Sequence, residues 1–206
     1  MEKGLIVLDP GHGRTGNEYP FKKGTYEGTQ MFAFAQALRE ELEARGFSVM
    51  TTRPSIDDDP DLGERGSMAG VNGARLFLSL HSNAPSSGLE PEVYKSIRGA
   101  EAYYSMTDEA GNAPFARALL DVVCEEMQTP DRGIHTRQYP DRPGVDYYGV
   151  IRSSAQSGCR RAILIEHGFH TNEQDVAFLT DPFRMRRMAA REAEVIDRFL
   201  AQEEKI

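Results

Sequence analysis

His12 stands between two glycines in GLIVLDPGHGRTG, in the turn that follows the four apolar residues Leu5 to Leu8. Two other short apolar runs end in similar chemistry: LFLSLH, residues 76–81, closes on His81, and AILIE, residues 162–166, closes on Glu166. Histidine and carboxylate side chains bind divalent metals and move protons near neutral pH. In open parallel sheets ligands gather outside the carboxyl ends of the strands. Three strands that each deliver such a group to that edge therefore predict one site. Zinc catalysis needs three N or O ligands and an open fourth position. His12 and His81 supply two, and Glu27 in GTYEGTQ, just ahead of a helical pattern, is placed to supply the third. Taken alone, Glu27 reads as a helix N-terminal carboxylate worth about 0.3–1 kcal/mol. Beside the two histidines it reads as a ligand, which leaves Glu166 off the metal as the general base.

A nucleotide reading of GHGRTG fails on detail. The G-x-x-x-x-G-K-[ST] spacing is missing, no lysine stands where it would reach a phosphate, and the helical pattern opens about twelve residues too late for a dinucleotide fingerprint. Asp57, Asp58, Asp59 and Asp61 lack the EF-hand ligand spacing, so they read as a solvated loop.

The elements that must position these groups follow from apolar spacing. Leu5–Leu8 reads as the first strand. Met31, Ala35, Leu38 and Leu42 recur at helical spacing from Thr29 on, and Gly46 closes that helix. Phe47–Thr52 reads as a strand, PSIDDDPDLG as a loop, Leu62–Asn72 as a helix weakened by Gly66 and Gly70, and residues 76–81 as a buried strand. Residues 84–101 read as a loop and Glu101–Ser105 as a strand. Phe115, Leu119, Val122, Val123 and Met127 mark an amphipathic helix. YYGVIR, 147–152, and AILIE read as two further strands, and Pro182–Glu203 as a long closing helix. Strands alternating with helices predict a single α/β domain, residues 1–206, with a mostly parallel central sheet flanked by helices.

With 206 residues the chain is long enough for a real core. The formal net charge of −8, with no basic block, argues against nucleic acid or an anionic membrane as partner. Cys124 and Cys159 read as free thiols. No apolar run of membrane-spanning length occurs. MEKGLIVLDP is too short in apolar residues for a signal-peptide core, so the route of export is left open: another route, or a segment upstream.

The stretches IVLDPGHG, Glu27 ahead of its helix, TTRPS, ER in GERGS, FLSLHSNA, DRGI and LIEHGFHTN run from residue 6 to 172. In that order they resemble the zinc-dependent N-acetylmuramoyl-L-alanine amidases, a family of bacterial, spore and phage cell-wall hydrolases. The resemblance implies a Zn2+ ion, one per chain, held by His12, Glu27 and His81, with Glu166 as catalytic glutamate. It implies peptidoglycan as partner and the bacterial cell wall as place of action, endolysins included. The reaction expected is cleavage of the amide between N-acetylmuramic acid and L-alanine. The alternatives are a zinc amidohydrolase of free peptides or acyl amino acids, and a peptidoglycan binder without activity. Arg152 is a candidate contact for a muropeptide carboxylate, with a surface salt bridge as the equal alternative. Asp9 and Ser79 are candidate supports for the ligands, and Asn83 and Asn172 read as turn residues. His167 and His170 depart from the family's pattern and lie either near the metal or partly buried. The stretch 84–101 is also longer than the family's usual link.

Overall fold

The computed structural model describes residues 3–203. In chain order the elements are β1 (Leu5–Pro10), α1 (Glu27–Ala44), β2 (Ser48–Thr51), α2 (Leu62–Val71), β3 (Leu76–Asn83), α3 (Pro91–Ser96), β4 (Ala100–Tyr104), α4 (Glu109–Met127) and β5 (Asp131–His135). They continue with β6 (Gln138–Tyr139), β7 (Arg142–Asp146), α5 (Gly149–Ser157), β8 (Ala162–Phe169), α6 (Glu173–Leu179) and α7 (Pro182–Glu203). One six-stranded sheet has the order β2-β1-β3-β8-β4-β5, and β6 pairs with β7 as a small antiparallel hairpin. Strands β2, β1, β3 and β8 run parallel, while β4 is antiparallel to β8.

The central strands are apolar on both sides because helices cover both faces, as parallel sheets require. Ile6, Leu8, Leu76, Leu78, Leu80, Ile163 and Ile165 join the buried residues of α1, α4 and α7 in one core. Val7, Phe77, Ala162 and Leu164 point the other way, against Ala69 of α2 and Val150 and Ile151 of α5. Helix α1 buries Met31, Phe34, Ala35, Leu38 and Leu42, and the chain turns out of it at Gly46, φ 93°. Helix α2 opens on a capping box: Asp61 accepts from the Glu64 amide at 2.8 Å and the Glu64 side chain reaches back.

The strand expected at residues 147–152 is instead the entry and first turns of α5. Val150, Ile151 and Ser154 are buried at helical spacing, and Gly158 ends the helix with φ 116°. A six-residue apolar run does not distinguish strand from helix, and the helical stripe wins once α5 packs on α2. Residues 84–101 hold the short helix α3, opened by Pro91, and the first residues of β4. Strand β5, the β6–β7 hairpin and α6 had no counterpart in the sequence reading. Asn172 starts α6 by accepting from the amides of Gln174 and Asp175, a capping role that fits its reading as a turn residue.

Candidate metal centre

Strands β1, β3 and β8 are neighbours running in the same direction, so His12, just past β1, and His81 and Glu166, near the ends of β3 and β8, converge on one edge. His81 and Glu166 are direct register partners. Beyond them the register slips, with one more residue in β8 than in β3 before Asn83 meets Phe169. The irregularity includes Gly168, φ 73°; His167 faces the core because it alternates with Glu166 along the strand, on the side of Ile163 and Ile165.

Glu27 is the first residue of α1 and is fully buried. Its Oε1 accepts from the Ser82 amide at 2.9 Å and faces His81 Nδ1 at 3.0 Å. Its Oε2 accepts from Asn17 Nδ2 at 2.8 Å and lies 3.4 Å from His12 Nε2. The imidazoles of His12 and His81 meet edge to face, with centroids 5.0 Å apart. One ligand atom from each of His12, Glu27 and His81 can be chosen so that all lie within 4.8 Å of one another. Two imidazoles and a carboxylate at that spacing suit a zinc-type ion. Glu166 stands apart, with its Oε2 buried and lacking a hydrogen-bond partner.

The loop before α1 is shaped by close approach. His12 itself adopts the left-handed conformation, φ 61°, while Gly11 and Gly13 do not. The glycines serve packing: a Cβ on Gly11 would sit 2.3 Å from His81 Cε1, and one on Gly28 would sit 1.8 Å from the Gly13 carbonyl. Two buried arginines fix this loop and its neighbour. Arg65 donates to Asp9 Oδ1, the Pro10 and His12 carbonyls, the Pro60 carbonyl and Asp59. Arg53 donates to the Gly28 carbonyl at 3.0 Å, next to Glu27. In the sequence they stood out only as parts of TTRPS and GERGS; nothing in their spacing marks them as buried.

The electrostatics follow from this packing. Burial alone would raise the Glu27 carboxyl, but hydrogen bonds and charge from His12 and His81 outweigh it and hold the group far below the usual carboxylate range. Burial likewise opposes charge on His81, yet Glu27 outweighs it and pushes the imidazole up to about 9. Burial pushes the Glu166 carboxyl up to about 8; His81 pulls it down, while Glu27 and Glu101 add to the rise.

Other candidates fall around this centre. Asp9 accepts from Ser79 Oγ at 2.7 Å, from Thr52 Oγ1 at 2.6 Å and from Arg65, so its support reaches His12 through Arg65. His170 Nδ1 lies 2.9 Å from the Ser82 carbonyl and 3.6 Å from Glu27 Oε2. His167 is fully buried between the His81 carbonyl, 3.2 Å, and Glu192 Oε1, 2.9 Å. The four aspartates of the 57–61 stretch are not simply solvated: Asp57 pairs with Arg14, Asp58 accepts from the Ser55 amide, Asp59 pairs with Arg65, and Asp61 caps α2. Asn83 Nδ2 donates to Glu101. Arg152 ends no strand. It lies in α5, donating to the carbonyls of Asp146 and Tyr147 at 2.8 and 3.0 Å beneath the β6–β7 hairpin. A groove of about 1000 Å³ runs over the centre, lined by His12, His81 and Glu166, by Asp57, Asp59 and Leu62, and by Tyr148 and Gly149, with Leu62 packed against Gly149.

Fold and site together define an α/β domain with a metal-competent His–Glu–His set at the carboxyl edge of its sheet. The model of the N-acetylmuramoyl-L-alanine amidase family matches residues 6–198, and the chain belongs to that family. It is 30% identical over 175 residues to the N-acetylmuramoyl-L-alanine amidase LytC of Bacillus subtilis (strain 168), covering 84% of this chain and 31% of LytC. Among solved structures, Cwp6 from Clostridium difficile superposes with a TM-score of 0.80 at 29% identity, covering 94% of this chain and 29% of that one. The catalytic domain of CwlV, an N-acetylmuramoyl-L-alanine amidase from Bacillus (Paenibacillus) polymyxa var. colistinus, gives 0.77 at 25% identity, covering 98% and 99%. The chain thus spans less than a third of LytC and of Cwp6, but nearly all of the CwlV domain. No helix among the described residues is long and apolar enough to cross a membrane.

Proposed function

We propose that residues 1–206 act as one catalytic domain that hydrolyses the amide between the lactyl group of N-acetylmuramic acid and L-alanine in peptidoglycan, at the bacterial cell wall. The observation that carries this reading is the pairing of a His12–Glu27–His81 set with a separate, unpartnered Glu166 oxygen in one groove, in a chain of this family. His12, Glu27 and His81 would hold one Zn2+ ion. When bound, that ion supplies Lewis acidity to the scissile carbonyl and to the attacking water.

The chain's own residues do the rest. Glu27 is tied to the Ser82 amide and to Asn17, so its carboxylate is oriented towards both imidazoles before substrate arrives. Glu166 takes a proton from the attacking water and returns it to the departing alanine nitrogen, a role worth about 10²–10⁴-fold in rate. A carboxyl raised towards neutrality by burial suits that double duty, because it both accepts and releases a proton near working pH.

The test compares wild type with Glu166→Ala on purified peptidoglycan, with metal analysis of both. About one zinc per chain in both proteins, with lactyl-free stem peptides released by wild type and at least about 10²-fold more slowly by the variant, supports the reading. Zinc bound without release of stem peptides rejects peptidoglycan as substrate, and failure to load zinc rejects the ligand set.

A further inference from the structure

Charge is uneven around the groove. Its wall holds Asp57, Asp59 and Asp61 together with Arg14 and Arg65. Residues 132–152, which reach the groove at Tyr148 and Gly149, carry four arginines and two aspartates, in a chain whose net charge is −8. One of those aspartates, Asp146, is buried and accepts from Ser105 Oγ at 2.7 Å and the Met106 amide. Arg137 and Arg142 are exposed, and neither takes part in any ion pair among the described residues. Each is instead laid on a tyrosine: Arg137 lies 3.8 Å over the ring of Tyr147, and Arg142 3.9 Å over that of Tyr139, its cross-strand partner. Stacking fixes the guanidinium plane and leaves N–H groups available at its edge, on Arg137 those that do not reach Tyr148, and such an edge receives a carboxylate by charge-assisted hydrogen bonds. Tyr148 links this platform to the chemistry. Its ring lines the groove with Glu166, and its hydroxyl accepts a hydrogen bond from Arg137.

The geometry points to the Arg137–Arg142 pair, which adjoins the groove through Tyr148, as a subsite for the free carboxylates of the stem peptide, which sets the direction in which substrate lies across the groove. This rests on the amidase reading and deepens it. The substrate of that reaction is itself polarised: the N-acetylated glycan side of the scissile bond is neutral, and the peptide side carries the carboxylates. Peptide towards the arginine pair leaves the glycan along the rest of the groove, where Asp57 and Asp59 are already paired with Arg14 and Arg65. Arg152, beneath the hairpin, holds the platform to α5.

Two soluble disaccharide-peptides test it, one with free stem carboxylates and one with the same groups amidated. The double variant Arg137→Gln/Arg142→Gln should raise KM on the acidic substrate about tenfold, the loss expected for a charge-assisted hydrogen bond. On the amidated one the change should stay within about twofold on the same reasoning, since no charged acceptor is removed. Arg142→Glu, a single exposed change, should lose more than Arg142→Gln. Arg184→Gln, exposed on α7, is the control and should leave both KM values as they are. Equal losses on both substrates, or none, overturn the subsite.

Binding separates this from failure of the reaction itself. In calorimetry on the Glu166→Ala protein, the acidic stem peptide without glycan should bind about tenfold more weakly once the two arginines are gone. Its affinity should also fall with salt only while they are present. If wild type cleaves neither substrate, the calorimetry still decides the subsite. No peptide binding, binding unchanged by the variant, or a loss seen only with the peptide-free disaccharide rejects it.

Discussion

One methyl group at Gly11 would disturb the whole centre. A Cβ there would lie 2.3 Å from His81 Cε1 and 2.6 Å from Nε2, so the imidazole must swing aside. The backbone at Gly11 is not left-handed, so strain plays no part. Gly11→Ala should therefore fold, at a cost of about 1–3 kcal/mol for overpacking. Its zinc affinity should fall about 10–100-fold, the usual loss when a ligand's support is disturbed. Competition with a chelator measures the affinity and chemical denaturation the stability; an unchanged zinc affinity would mean that His81 is not a ligand. Arg65 fails differently. It is 2% exposed and bonds Asp9, Asp59 and three carbonyls, so Arg65→Met leaves Asp9 buried without its counter-ion. Breaking such a pair from one side costs about 3–5 kcal/mol, which urea unfolding would read directly. A loss below about 1 kcal/mol would put Arg65 among exposed pairs of little worth.

Helix α2 shows how an element can contradict its own propensities. Gly66 and Gly70 weaken it in isolation, each by about 1 kcal/mol against alanine. In the fold they are where α5 presses in: a Cβ at Gly66 would lie 2.3 Å from the Val150 carbonyl, and one at Gly70 2.3 Å from the Ser157 carbonyl carbon. Those neighbours are backbone and cannot turn away. Gly66→Ala should thus destabilise the protein by about 1–3 kcal/mol despite the better helix former, and a higher thermal midpoint would refute the close packing. Because Gly149 and Tyr148 sit at the start of α5 and wall the groove, the same change should also raise KM. This contact explains what was legible in the sequence and what was not. The runs ending in His12, His81 and Glu166 were readable because an apolar strand closed by a ligand-type residue is a local pattern, and Glu27 was readable from its place before an amphipathic helix. The nature of 147–152 was not, since its apolar residues fit either period until α2 supplies the partner. Nor were the roles of Arg53 and Arg65, whose acceptors are mostly carbonyls that exist as a set only after folding. The 138–146 hairpin was hidden for a related reason: its two short strands carry no apolar alternation, and Arg142 is laid on Tyr139 only once they pair.

For the whole molecule, the decisive feature is the carboxyl groups collected at one edge of the sheet, where Glu27 and Glu166 lie beside His81 and Glu101 beside Glu166. In the metal-free protein, His81 is raised from 6.5 to about 9 and Glu166 from 4.5 to about 8. Both bind their proton more tightly folded than unfolded. Each therefore contributes stability below its unfolded value and loses it as pH rises through 9 and 8 respectively. Glu27, shifted the other way, contributes above about 4.5 and loses its share only in acid. Between pH 6 and 9 the first two govern, and the metal-free protein should become less stable as pH rises. The proposed zinc ion should reverse the trend, because ligands must be deprotonated to bind it, so apparent affinity should climb about tenfold per pH unit until His81 has lost its proton. At about a thousandfold excess over Kd, zinc adds about 4.1 kcal/mol, and about 2–4 °C per kcal/mol for a chain of this size makes a shift of about 8–16 °C. Thermal midpoints with and without zinc, taken from pH 6 to 9, should diverge as the metal-free protein falls and the zinc-loaded one holds. Parallel curves would mean that His81 gives up no proton to the metal, and the ligand set would have to be drawn without it.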